Sequence, residues 1–180
     1  MDRDELIARM RAGETPKFLM FWGHTPRAGQ TSVGQECLSQ WYPSPFELVG
    51  QRLLTAEHHM MAEKARLFGD DEALAAILAS THPGEAKRLG RGVRGYDEDV
   101  WREHRFRIVL DGNVAKFAAH PQLRAFLRGT GDRVLVEASP QDTVWGIGLA
   151  ADHRDATVPE RWRGTNLLGF ALMEVRTQLR

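Results

Sequence analysis

The chain has one cysteine, Cys37, no excess of either charge, and no apolar run near the roughly 20 residues of a membrane span. Each absence excludes something. A single cysteine rules out an intramolecular disulfide and fits a reducing compartment. Lys plus Arg and Asp plus Glu stand equal at 24 each. Such balance leaves no overall electrostatic footprint for nucleic acid or an anionic membrane. The opening Met1-Asp-Arg-Asp-Glu-Leu6 lacks a basic region followed by an apolar one, so it does not read as a signal peptide. A cytoplasmic location and no membrane partner are the expectations. The seven histidines form no HExxH and no His/Cys ligand spacing. His58 and His59 point about 100° apart on a helix, which makes them poor joint ligands. No metal and no cofactor are expected. Ser139 lacks the nucleophile-elbow pattern, and Cys37 reads as a buried thiol.

What is present reads as a globular protein. The 180 residues are 42% apolar and 27% charged, which suggests one domain over 1–180 with a sizeable core. Residues 2–12 suit a short polar helix or a frayed end. Lys17 to Trp22 is a continuous apolar run and predicts a buried strand. His24 to Glu36 reads as a loop. Cys37 to Leu53 reads as extended segments, with a hairpin turn at Val49-Gly50-Gln51. A helix follows over Thr55–Phe68, and another over Glu72–Ala79. A short one over Glu85–Leu89 leads into the basic, glycine-bearing stretch Lys87 to Gly95. Asp97 caps a long helix to about Ala119, and Pro121 opens one to about Leu127. Val134–Ala138 is a strand. Ser139 to Asp142 is a turn, and Asn166 caps a last helix to about Leu179. The class is α+β, compact and helix-dominated, with a few short strands.

Charge in the wrong place marks the Thr55–Phe68 helix. Wound at about 100° per residue, Met60, Met61, Ala65, Leu67 and Phe68 fall within roughly 80° of Glu57. Lys64, seven residues on, lands about 20° from Glu57. His59, Ala62, Glu63 and Arg66 are left to face water. Buried unpaired charge costs several kcal/mol, so something must offset it. Two explanations stand level. Glu57 and Lys64 are structural ions with separate partners, or they floor a cleft in which their pKa values are shifted.

Other features are weaker one by one. Asp142 and Trp145-Gly-Ile-Gly148 form a turn region. There Gly146 and Gly148 permit close approach and Trp145 offers a flat face for a base. As single residues, Asp142 is more simply a turn residue and Trp145 a core anchor. Arg91 lies in the basic stretch and suits a phosphate, against the plainer reading of a solvated loop. Asn166 with Gly169 at a helix N-terminus suits an anion, or is a plain cap.

Together these segments resemble the YbiA-like, or NADAR, family, named for NAD and ADP-ribose. The resemblance runs from about residue 18 to 179, leaving 1–17 as an extension. It is carried by Phe21-Trp-Gly-His24, Leu38-Ser-Gln-Trp-Tyr-Pro-Ser-Pro-Phe46, Thr55-Ala-Glu-His-His-Met-Met-Ala-Glu-Lys-Ala-Arg66, Leu89-Gly-Arg91, Trp101, Lys116-Phe117, Leu135-Val-Glu-Ala-Ser-Pro-Gln-Asp142, Trp145-Gly-Ile-Gly148, Asn166-Leu-Leu-Gly169 and Leu172-Met-Glu-Val-Arg176. Order and spacing make it specific. The resemblance implies cleavage of an N-glycosidic bond on a ribosyl phosphate or an ADP-ribosyl conjugate, of the ADP-ribosyl-guanine or phosphoribosylamino-pyrimidine type. The partner is then a small nucleotide or an ADP-ribosylated nucleobase, free or within nucleic acid. A non-catalytic NAD or ADP-ribose binding module is the alternative. The family's glutamate falls on Glu57, its lysine on Lys64, its tryptophan on Trp101 and its aspartate on Asp142. Trp41, Arg91, Trp145, Gly146, Gly148, Asn166 and Gly169 are the expected binding residues. The YbiA type has Ser-Asn-Phe where this chain has Ser39-Gln40-Trp41, and Trp-Gly-Asp-Gly where it has Trp145-Gly-Ile-Gly148. Those departures flank the expected pocket and leave the base open.

Overall fold

Asp2 starts the first element by accepting the Glu5 N–H on its side chain, a side-chain cap for α1 (Arg3–Arg11). The computed structural model describes residues 1–26 and 28–179, so position 27 of the expected His24–Glu36 loop lies outside the described residues. Seven α-helices and four strands are present among the described residues, which makes the class α+β and helix-dominated. No helix among them is long and apolar enough to cross a membrane. The chain divides into two compact units, Met1–Ser39 with Gln122–Arg180, and Gln40–Pro121.

In the first unit, β1 (Phe18–Phe21) pairs in parallel with β4 (Val134–Glu137), Phe18 opposite Val134 and Phe21 opposite Glu137. Within β1 only Phe21 is fully buried, and Trp22 beyond it stands exposed. The continuous apolar run therefore overstates the burial of this strand. Val134, Leu135 and Val136 are all buried, each contributing roughly 1.5–3 kcal/mol of burial energy. The last helix, α7 (Leu167–Gln178), packs on β4. Helix α6 (Pro121–Gly129) opens on Pro121, as the missing N–H allows. A 3₁₀ turn over Gln35–Leu38 replaces the extended start expected at Cys37. Its Gly34 N–H is held by the Glu36 carboxylate at 2.8 Å, which curls the chain. A second 3₁₀ turn, Pro159–Arg161, receives the Arg3 Nε at its Pro159 carbonyl (2.9 Å).

The second unit opens with a hairpin, β2 (Phe46–Leu48) and β3 (Gln51–Leu53), antiparallel across Val49-Gly50. Both turn residues have positive φ, 51° and 72°, as a type I′ turn needs. Helix α2 (Ala56–Leu67) follows, capped by Thr55. It packs against α3 (Asp71–Ala79), α4 (Pro83–Arg91) and α5 (Glu98–Ala119). Three neighbours explain one departure from the wheel. His59 and Ala62, expected to face water, are buried at 4% and 0% exposure. Gly112 of α5 makes room for His59: a Cβ there would lie 2.3 Å from the ring. The His59 Nε2 meets the Ile108 carbonyl at 3.1 Å, and the carbonyl being an acceptor places the proton on Nε2.

Helix α4 is longer than expected at both ends. His82 caps it, Pro83 fills its first position, and Gly90 and Arg91 are helical. Gly90 is tolerated because Met61 packs onto its Cα, where a Cβ would lie 2.1 Å from the sulfur. The expected basic loop thus reduces to residues 92–95.

Candidate active site

Thr55 sets the start of α2, and Glu57 falls in its first turn, 2% exposed. A carboxylate there is favoured by the positive end of the helix. The Glu57 N–H donates to the Gln40 carbonyl at 3.0 Å. The Gln40 side chain turns the other way: its Oε1 accepts from Asn113 Nδ2 at 2.8 Å, and the same amide group donates to the Val109 carbonyl at 2.8 Å. Gln40 and Asn113 are both buried. One residue therefore ties the first turn of α2 to the middle of α5.

Two turns along α2, the Lys64 ammonium lies 4.1 Å from the Tyr96 ring centre and 5.7 Å from that of Trp101. Both are within cation–π range. Burial is the main cause lowering the Lys64 pKa, Arg91 lowers it further, and Glu98 opposes both. Trp101 is buried, while Tyr96 is 41% exposed and meets Phe68 edge-on at 5.3 Å. The Tyr96 hydroxyl donates to Glu98. Its own pKa is pushed up to about 12, by burial first and then by that carboxylate. Lys64, Trp101 and Arg91 are thus brought together. Trp41 belongs to a different group: it meets His82 edge-on at 6.2 Å, with the Lys87 ammonium 5.8 Å from its ring.

The expected residues of the first unit serve a loop. Asp142 Oδ1 accepts the N–H groups of Val144 (2.9 Å) and Trp145 (2.7 Å), and its carbonyl accepts that of Gly148 (3.0 Å). No hydrogen-bonded turn closes over Ser139–Asp142; the chain bends there instead. Gly146 and Gly148 are buried, and what they admit is the protein's own chain. A Cβ on Gly146 would lie 2.8 Å from the Glu137 carbonyl, and one on Gly148 2.8 Å from the Arg163 Cβ.

Asn166 also differs from expectation. It sits in the left-handed region at φ 56° and makes no side-chain cap. Its Oδ1 accepts the Glu137 N–H and its Nδ2 donates to the Leu135 carbonyl, both at 2.9 Å. Gly169 lets α7 settle on that same carbonyl, 2.1 Å from where its Cβ would be. Both residues dock helix on strand, which accounts for them without an anion.

A family model described as the NADAR domain matches residues 20–180. The chain belongs to the NADAR family. It is 40% identical over 171 residues to N-glycosidase R617 of Acanthamoeba polyphaga mimivirus, covering 92% of this chain and 98% of that one. It is 31% identical to N-glycosidase YbiA of Escherichia coli K12 over 135 residues, 75% of this chain and 76% of the other. The NMR structure of E. coli YbiA superposes with a TM-score of 0.71 at 27% identity, over 92% of this chain and 86% of that one. These NADAR relatives bear the name of hydrolases of N-glycosyl bonds, and the chain is a member of that enzyme family.

Within this NADAR chain, periodicity marked Glu57 and Lys64 as charges on an apolar face but marked neither the Tyr96 contact nor the Gln40–Asn113 pair. Asn113 carried a signal, an amide in the apolar stretch of a long helix. Tyr96 carried none, because its role depends on a lysine 32 residues earlier in the chain.

Proposed function

We propose that this NADAR protein hydrolyses the bond between C1′ of a ribosyl phosphate or ADP-ribosyl group and a nucleobase-type nitrogen. Conjugates of the ADP-ribosyl-guanine or phosphoribosylamino-pyrimidine type are the substrate class, met as free nucleotides or within nucleic acid. One observation carries the reading. A half-buried lysine, held against two aromatic rings, shares a helix with a buried glutamate. Desolvated charge of both signs on one helix suits a reaction that develops charge on sugar and leaving base.

As the C1′–N bond breaks, positive charge grows on the sugar, and the Glu57 carboxylate stabilises it. Water adds its hydroxyl to C1′, and the proton ends on the leaving nitrogen. The resemblance adds Asp142 as a second carboxylate, the acid for the base or the activator of water. Trp101 supplies a face for the base, and Arg91 a fork for phosphate.

Lys64 has two routes. As an ammonium it holds phosphate or keeps Glu57 ionised. As an amine, which its lowered pKa favours, it attacks C1′ and expels the base. The ring then opens to an imine, and water hydrolyses the imine to free sugar and amine.

Release of ribose 5-phosphate or ADP-ribose, followed by mass spectrometry over a substrate panel, tests the reading. A folded Glu57→Gln variant is expected to lose roughly 10²-fold or more in turnover; undiminished turnover removes Glu57 from the chemistry. Borohydride should trap an adduct on Lys64 if the amine route operates, and no adduct leaves the electrostatic route. Tight binding of NAD or ADP-ribose with no turnover anywhere would favour a binding module.

A further inference from the structure

We propose that the Tyr96 ring is a positioning group: its face holds the Lys64 amine against Trp101 and so fixes where that amine points at the reacting sugar. The inference rests on the reading of Lys64 as part of the reacting site, and adds a residue that the sequence did not mark. Tyr96 stands between α4 and α5, outside both helices. Three contacts anchor it. Lys64 Nζ sits 4.1 Å from its ring centre, Phe68 packs edge-on at 5.3 Å, and its hydroxyl donates to Glu98. Glu98 is in turn flanked by Arg102 at 3.9 Å and Arg105 at 3.7 Å. A lysine side chain has four rotatable bonds, and an exposed ammonium samples many of their states. Against two ring faces its freedom narrows, as an attacking or charge-stabilising group requires.

Other charges do not take over this task. From α4, Arg91 repels the ammonium, and from α5, Glu98 attracts it while bound to the Tyr96 hydroxyl. On α2 itself, Arg66 is taken up by Glu63 and Gln51. Glu72 of α3 is 3.1 Å from Arg94, and Arg52 of β3 stands opposite Glu47. Glu57 lies two turns away on the same helix. Of the two rings, Tyr96 is the nearer one and restrains the direction of the amine.

The ring and the hydroxyl separate by substitution. Tyr96→Phe keeps the π face and loses the bond to Glu98. Tyr96→Leu keeps an apolar cover and loses the π face. The chain has four lysines, Lys17, Lys64, Lys87 and Lys116, so reductive ¹³C-methylation gives a readable spectrum in which Lys64→Arg assigns the Lys64 signal. An ammonium over a ring face shows an upfield ring-current shift. We expect that shift in the wild type and in Tyr96→Phe, and its reduction in folded Tyr96→Leu to what Trp101 alone supplies. The Tyr96→Leu amine should also titrate at lower pH, because the ring stabilises the charged form. With unmodified protein, kcat should fall roughly tenfold in Tyr96→Leu and stay near wild type in Tyr96→Phe, with KM less affected than kcat. An unshifted Lys64 signal in the wild type overturns the proposal, and so does Tyr96→Leu turning over like wild type. If no substrate turns over but the shift is present and falls in Tyr96→Leu, the glycosidase reading fails while the placement of Lys64 by Tyr96 stands.

Discussion

Val49 occupies a backbone conformation that its side chain disfavours. At φ 51° it takes the first central position of the hairpin turn, followed by Gly50 at φ 72°. Positive φ is easy for glycine and tolerable for asparagine, but a β-branched side chain crowds the neighbouring carbonyl. The Val49 side chain is 94% exposed, so no burial offsets the strain. Its strands stay paired because Phe46 and Leu53, opposite one another, are both buried. Val49→Asn should therefore stabilise the protein by about 1 kcal/mol, read as a higher denaturant midpoint at unchanged slope. An unchanged or lower midpoint would mean that the turn is not strained at this residue.

At the scale of elements, the docking of α7 on β4 is set by small groups at one spot. Gly169 puts bare Cα against the Leu135 carbonyl, and Asn166 reaches the same strand with both amide atoms. Gly169→Ala forces a methyl to within 2.1 Å of a backbone oxygen, which cannot rotate away as a side chain does. The helix must shift, at a cost of about 1–3 kcal/mol. Thermal melting of the variant should show a lower Tm, and a Tm equal to wild type would refute this close packing. The same contact shows what a single sequence carries. Caps are local: Asp2, Thr55 and Asp97 each bond an N–H two or three residues on, so the start of α5 was legible at Asp97, and Asp2 and Thr55 carry the same kind of local signal. The hairpin turn expected at Val49-Gly50-Gln51 was legible for the same reason, although Gln51 already pairs with Leu48 in β3. Asn166 sits where a cap would, yet its side chain serves residues 29 and 31 positions away. Likewise the wheel of α2 gave Glu57 and Lys64 their common face, since that follows from helical pitch. It left His59 and Ala62 in water, because the helix that covers them is known only from the fold.

Across the molecule, two kinds of buried group set the response to acid, and they act in different pH windows. His58 and His59 are both buried, and burial is the first cause lowering their pKa values. In the fold they are neutral. His58 Nδ1 is 2.8 Å from the Thr55 hydroxyl, and His59 donates to Ile108. In the unfolded chain each takes up a proton below about pH 6.5. The unfolded state then binds more protons than the folded one, so stability rises with pH in this window. The contribution is complete above pH 6.5 and is lost as pH falls toward the lowered folded values. Asp70 acts later. Arg94 holds its carboxyl well below the usual carboxylate range, through side-chain bonds of 2.6 and 3.2 Å and a main-chain bond of 2.8 Å. That contribution is present above the unfolded aspartate pKa near 4 and disappears only below it. Thermal melts from pH 8 to pH 3 should therefore fall in two stages, the first starting near pH 6.5. A folded His58→Gln variant, although less stable at pH 8, should lose less Tm than wild type between pH 7 and 5. Arg94→Ala should be less stable at pH 7 by a gap that closes as pH falls below 4. A wild-type Tm that holds flat from pH 7.5 to 5.5 would show that the two histidines titrate as freely in the fold as out of it.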